Sequence, residues 1–280
     1  MLPFWLSIGC LSLVQALLVA LPRPAYLPAL ERLRSGWWAL WLPLPIAAVV
    51  GAIALDSASA RFLTWLALIA VPPLAALALG FVVRGARPWL ALLAVPLFAL
   101  AWAAKGSFSG DTAALALTAL SCTTLGWLLA CVVPERWLKL GIYAMAAIDA
   151  YLVSTDLLQQ PNGVLNAVAP AADLPRLQLV HFGSAVMGFG DVFVAATLGA
   201  LLARERRWQL RGALVAALVG CAFDLLFFAV DELPATVPIA LTLAILELWR
   251  RSEVGQGLPR TQPPPLSASP SRRRSSRSGR

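Results

Sequence analysis

Long apolar runs, separated by short stretches that hold arginine, proline or glycine, divide this chain into segments of similar length. A helix needs roughly 20 apolar residues to cross about 30 Å of hydrocarbon. By this measure the pattern predicts an all-α polytopic membrane fold. Its nine predicted transmembrane helices span residues 3–22, 37–55, 62–83, 89–104, 112–133, 140–158, 179–203, 212–230 and 233–249.

The composition supports this interpretation and excludes an ordinary soluble domain. Hydrophobic residues make up 60% of the 280 residues, charged residues make up 13%, and the mean hydropathy is +0.77. Soluble domains carry about 25% charged residues. No basic region precedes the first apolar segment, so we expect a retained helix rather than a cleaved signal. We expect an integral protein of a bacterial or archaeal plasma membrane.

The basic residues predict the orientation. Of the 22 Lys and Arg residues, all but Arg61, Lys105 and Arg176 fall in alternate loops or in the tail. The positive-inside rule then places the N-terminus outside and the C-terminus in the cytoplasm. We divide the chain into a five-helix scaffold (1–139), a four-helix region (140–249) and a basic tail (250–280). We expect the tail to be disordered and to contact anionic lipid, not nucleic acid.

Acidic residues inside the predicted spans are the candidate functional groups, because a charge there costs at least about 2.5–3.5 kcal/mol. Asp149 and Asp191 fall near the middle of spans six and seven, about 14–18 Å from the ends of each helix. These spans are consecutive and antiparallel, so we expect the two acids to face each other at equal depth. On the same predicted helix, Ser184 would share the face of Asp191, and His181 would lie about 15 Å away.

Two carboxyl groups at close range in a medium of low dielectric constant cannot both ionise, so they share one proton. The ionised acid can then take a proton from water while the protonated acid polarises a carbonyl, which is the chemistry of peptide hydrolysis. The alternative from a different class is a transporter or proton channel, because ion coupling also uses paired acids in the membrane. Asp224 in span eight would line a water path in that alternative.

The stretch "GFGD" at residues 188–191 contains Asp191 on predicted helix seven, and Asp149 lies on predicted helix six. This pattern resembles the presenilin and signal peptide peptidase family of intramembrane aspartyl proteases, which carries a GxGD signature and places its two aspartates on helices six and seven of nine. The family opens its ninth helix with Pro-Ala-Leu, and this chain has Pro234 and Ala235 followed by Thr236. It also has Ile148 before the first acid, where the family usually has tyrosine.

The resemblance implies an intramembrane aspartyl protease that cleaves single-pass membrane proteins or signal peptides without a cofactor. Asp149 and Asp191 would be catalytic, and the residues that shape the site would be Gly188, Phe189, Gly190, Leu233, Pro234, Ala235 and Tyr151. A single histidine and the absence of a cysteine cluster argue against a zinc site. A second alternative is a prepilin-type peptidase, which also carries GxGD but usually has lysine at the position of Phe193.

Overall fold

The structure, a computed structural model, describes residues 3–43, 58–157, 163–164, 168, 174–230 and 232–255 of the chain. These residues are mostly helical, as the apolar runs predict. Much of the predicted second span at 37–55 lies outside the described residues, and so does residue 256 onward in the basic tail.

Most predicted spans coincide with a helix whose ends differ from the predicted bounds by up to about six residues, except around residue 180. The α-helices of the described residues are α1 (Phe4–Ala20), α2 (Pro28–Glu31), α3 (Ala58–Leu77), α4 (Ala94–Ala103), α5 (Phe108–Val132), α6 (Glu135–Ser154), α7 (Phe189–Leu202), α8 (Arg206–Asp224) and α9 (Val237–Gly255). Short 3-10 helices at Gly36–Trp41, Pro88–Leu93 and Leu225–Phe228, together with a π-helical turn at Ala78–Val82, precede or extend them.

Four helical stretches of the described residues are long and apolar enough to cross a membrane: Ala60–Val82, Phe108–Val132, Glu135–Ser154 and Arg206–Phe228. Three further helices are apolar but shorter: Phe4–Ala20, Pro88–Ala103 and Phe189–Leu202. The fold therefore has the long apolar helices that an integral membrane protein requires. The count of nine spans and the orientation of the termini stay predictions.

The prediction of one helix over residues 179–203 is wrong in its first part. Strands β1 (Leu179–Phe182) and β2 (Ala185–Gly188) form an antiparallel hairpin in which Leu179 pairs with Gly188. Gly183, in the turn, has φ of 62°, a left-handed conformation that glycine adopts without steric cost. A short apolar run does not distinguish a buried strand from a helix. The hairpin leads directly into α7, which begins at Phe189.

The prediction that each acid lies at the middle of its helix is also wrong. Helix α6 begins at Glu135, after Pro134, which is earlier than the predicted start at residue 140. Asp149 therefore lies near the C-terminal end of α6, which is Ser154. Asp191 lies in the first turn of α7. Both acids occupy ends of helices, and both ends border the cavity described below.

Helix α7 is the most enclosed helix of the four-helix region, and two glycines bring its neighbours unusually close. A Cβ atom on Gly126 of α5 would lie 2.7 Å from the backbone nitrogen of Thr197 in α7. A Cβ atom on Gly199 would lie 2.5 Å from the backbone oxygen of Leu18 in α1. Because only glycine allows backbones to approach this closely, α7 is held between α1 and α5.

Candidate functional site

A cavity of about 1080 Å³ contains the acids that the sequence singled out. Asp149, Asp191 and Asp224 all line it, and most of the remaining wall is apolar. The wall draws on α1, α3, the β-hairpin, α6, α7, α8 and the segment before α9. The fold thus brings together residues that are far apart in the sequence.

Asp191 is held by the first turn of its own helix. Its Oδ2 atom accepts a hydrogen bond from the backbone N–H of Gly188 at 3.0 Å. The first backbone N–H groups of a helix have no partner within the helix, and the N-terminal end of a helix stabilises negative charge. A Cβ atom on Gly188 would lie 3.0 Å from the same Oδ2 atom, so glycine at this position leaves room for the carboxyl group.

Asp149 is held by the residue that precedes α9. Its side chain is buried, and its Oδ2 atom accepts hydrogen bonds from the hydroxyl group of Thr236 at 2.6 Å and from the Thr236 backbone N–H at 3.2 Å. Thr236 is fully buried. A carboxyl oxygen with two donors in a buried site is well placed to carry negative charge. The threonine that departs from the family motif is therefore a direct partner of this acid.

The two acids belong to one site. Asp149 and Asp191 both line the same cavity. The turn that carries Asp191 also packs on the face of α6 that carries Asp149, because a Cβ atom on Gly190 would lie 3.0 Å from Cε of Met145. Met145 lies one helical turn before Asp149, so both residues are on the same face of α6.

Gln15 of α1 connects the two segments that hold the acids, a role that the sequence analysis missed. Its Nε2 atom donates hydrogen bonds to the backbone oxygens of Asp191 and Ala235, both at 3.2 Å. Ser7 and Ser12 are the other buried polar residues of α1. A polar face within a largely apolar helix was the available signal.

Most of the residues expected to shape the site border the cavity. Gly188, Phe189, Gly190, Leu233 and Ala235 line it, and Pro234 lies between two of them in the sequence. Tyr151 does not belong to the wall that the described residues form, and 61% of its surface is exposed.

Two polar residues that were expected on the seventh helix lie instead in the hairpin. Ser184 is in the turn, where its backbone N–H donates to Oγ of Ser7 at 3.3 Å. The expectation that Ser184 shares a helix face with Asp191 is therefore wrong. His181 lies on β1, paired with Val186, so the separation expected along a helix does not apply.

Among the described residues, no three His, Cys, Asp or Glu side chains are grouped so that they could hold a metal ion.

Comparison with known proteins finds no relative of this chain. No family model matches the chain, and no curated protein or solved structure matches it. The resemblance to the GxGD proteases therefore depends on the motifs themselves. The cavity and the two acids that line it are the basis for a proposed function.

Proposed function

We propose that this protein is an intramembrane aspartyl protease in which Asp149 and Asp191 form the catalytic pair. One observation carries the proposal: two carboxyl groups, each fixed by its own hydrogen bonds, border the same largely apolar cavity. Such an arrangement suits two acids that share one proton. The GFGD sequence and the Pro-Ala start of the last helix add the family resemblance.

The hydrogen bonds favour different roles for the two acids. Asp149 accepts two donors from Thr236, so it is the better site for the negative charge. In the proposed reaction Asp149 takes a proton from a water molecule, and that water attacks the carbonyl carbon of the scissile peptide bond. Asp191 gives its proton to the carbonyl oxygen. In the collapse of the tetrahedral intermediate, Asp149 gives its proton to the nitrogen, one hydroxyl group of the intermediate returns a proton to Asp191, the carbonyl re-forms and the C–N bond breaks.

The apolar wall suits a substrate segment that comes from a membrane-spanning helix or a signal peptide. Such a segment has to unwind before hydrolysis, because the backbone groups of an intact helix are hydrogen-bonded to one another. Gly188 and Gly190 themselves place no side chain beside Asp191, which favours close approach of a substrate backbone. This is the function we assign to the GFGD turn.

The finer features of the membrane arrangement belong to the same proposal. We infer nine spans with the N-terminus outside and the C-terminus in the cytoplasm of a bacterial or archaeal cell. Residues 1–139 would form the scaffold and residues 140–249 would form the catalytic region. The arginine-rich tail would lie against anionic lipid.

The decisive experiment measures cleavage of a membrane-spanning reporter peptide by the purified protein in liposomes. Asp149→Asn and Asp191→Asn keep the size of each side chain but remove the acid. We expect each to lower kcat by about 10²- to 10⁴-fold. Asp111→Asn is the matched control, because Asp111 lies in the first turn of α5, away from the cavity wall.

Two results would overturn the proposal. One is cleavage at the wild-type rate by both active-site variants. The other is the absence of product fragments together with proton flux into the liposomes, measured with an enclosed pH-sensitive dye. The second result would favour the transporter or proton channel.

A further inference from the structure

Asp224 is a cavity acid that the proposed reaction does not use. It is the last residue of α8, and its side chain is partly exposed where it borders the cavity. The helix continues past Asp224 as the 3-10 helix Leu225–Phe228. One oxygen of Asp224, Oδ2, accepts a hydrogen bond from the hydroxyl group of Ser12 at 2.8 Å.

Two aromatic residues close to Asp224 in the sequence share the cavity wall with it. Phe223 directly precedes Asp224, Phe227 follows it by three residues, and both line the cavity. Phe227 also meets Phe4 of α1 edge-on, with ring centroids 5.3 Å apart. A carboxylate beside aromatic rings is a favourable site for a cation on a hydrocarbon chain, since the rings attract the cation and cover the chain.

The charges of the cavity wall point to the same kind of ligand. Four acids border the cavity, namely Asp149, Asp191, Asp224 and Glu232, and none of the described residues in the wall is lysine, arginine or histidine. These four acids therefore have no cationic partner within the described wall. A cationic group on a bound substrate would supply the missing positive charge.

We propose that Asp224 determines specificity by binding a lysine or arginine side chain of the substrate. This inference rests on the proposed protease function and assigns a substrate preference to the same cavity. It differs from the transport alternative, in which Asp224 would line a water path.

The structure also indicates where the basic residue should stand in the substrate. Ser12, the partner of Asp224, and Gln15, the partner of the Asp191 backbone, are three residues apart on α1, about 4.5 Å along the helix axis. The Asp224 carboxyl group and the Asp191 backbone thus contact adjacent positions of α1, and from this we infer a separation on the order of 10 Å between the Asp191 and Asp224 side chains. An extended peptide covers this distance in about three residues. The basic residue should lie two to four residues from the scissile bond, on one side of it.

The test compares reporter peptides that differ at a single position. Lysine, methionine or glutamate is placed in turn at each site from two to four residues on either side of the scissile bond. For the wild type we expect kcat/KM at one of these sites to be roughly 10- to 100-fold higher with lysine than with methionine. Asp224→Asn should bring this ratio close to one, and Asp224→Lys should favour glutamate.

A second measurement makes the result independent of cleavage. Binding of the same uncleaved peptides is measured on Asp149→Asn protein, with and without Asp224→Asn. If the wild type cuts nothing but this binding still prefers lysine through Asp224, the protease proposal fails and the charge preference stands. Equal binding of lysine and methionine peptides at every site overturns the inference.

The matched control is Glu232→Gln, which removes another acid from the cavity wall and should keep the preference for lysine. If Glu232→Gln removes the preference while Asp224→Asn keeps it, Asp224 is not the determinant. Asp224→Asn preserves the size of the side chain, so it decides the question even if Asp224→Lys does not fold.

Discussion

At the scale of single residues, Thr236 shows how a departure from a family motif can be read in the structure. The family resemblance places leucine at this position, and from the sequence the change weakens the match. In the structure the Thr236 hydroxyl group donates the 2.6 Å hydrogen bond to Asp149, and the residue is fully buried. We therefore expect threonine to serve the site here in a way that leucine could not.

Substitution of Thr236 tests this expectation. Thr236→Val keeps the shape of the side chain but removes the donor, and Thr236→Leu restores the residue of the family motif. Because a hydrogen bond to a charged group contributes about 1.5–3 kcal/mol, we expect both variants to lower kcat by roughly tenfold or more. Thr236→Ser keeps the hydroxyl group and should retain most of the activity. The measurement is the rate of reporter cleavage; higher activity in Thr236→Leu would contradict the assigned role.

Residues of the candidate site differ in how far the sequence reveals them. Asp149 and Asp191 are conspicuous because charged side chains are rare within apolar runs. Gln15 is neutral, and its partner Asp191 is 176 residues further along the chain. No local pattern predicts such a contact, since it depends on how α1 packs against α7. The acids were therefore predictable, and the groups that hold them were not.

At the scale of elements, the β-hairpin marks the limit of prediction from hydropathy. Residues 179–203 form one apolar run, and the run predicts one long helix. The structure divides it at Gly188 into the hairpin and α7, which has only 14 residues. Hydropathy reports burial but not backbone conformation. The period of the pattern is also uninformative where both sides of an element are buried.

The close packing around α7 gives a prediction for stability. Gly126→Ala and Gly199→Ala would each place a methyl group against the backbone of a neighbouring helix, which cannot rotate away as a side chain can. Overpacking of this kind costs about 1–3 kcal/mol, so we expect both variants to unfold at lower temperature than the wild type in detergent. Gly9→Ala is the matched control, because a Cβ atom on Gly9 would meet no atom within 4 Å.

Thermal unfolding followed by circular dichroism or tryptophan fluorescence measures the difference between these glycine variants. A Tm for Gly126→Ala and Gly199→Ala equal to that of Gly9→Ala would show that α7 is not held by backbone contact.

At the scale of the whole molecule, charged groups gather at one end of the helices. Lys139 near the start of α6 pairs with Glu135 at 2.8 Å and with Glu247 of α9 at 3.2 Å. Arg211 near the start of α8 pairs with Glu253 of α9 at 2.8 Å. Composition and charge alone predicted this end as cytoplasmic. The sequence could predict an integral membrane protein because this class depends on hydropathy summed over many residues. An error in the bounds of one helix does not change that sum.

The predicted orientation can be tested with single cysteines. In a variant without the four native cysteines, Lys105→Cys, Arg87→Cys and Arg207→Cys are each treated with a thiol reagent that does not cross membranes. We expect reaction at position 105 in intact cells and at positions 87 and 207 only after lysis, because the positive-inside rule places the latter two in the cytoplasm. Equal labelling of all three positions in intact cells would contradict the orientation.

The glycine contacts of α7 have a consequence for how a peptide substrate enters the cavity. Because the backbone of α7 is in close contact with α1 and α5, α7 cannot shift or rotate unless those two helices separate. The carboxyl group of Asp191 therefore belongs to a helix that we expect to stay in place. Any widening of the cavity that admits a peptide should therefore come from movement of α6, which carries Asp149, together with Thr236 and the α9 helix that follows it, and not from movement of α7.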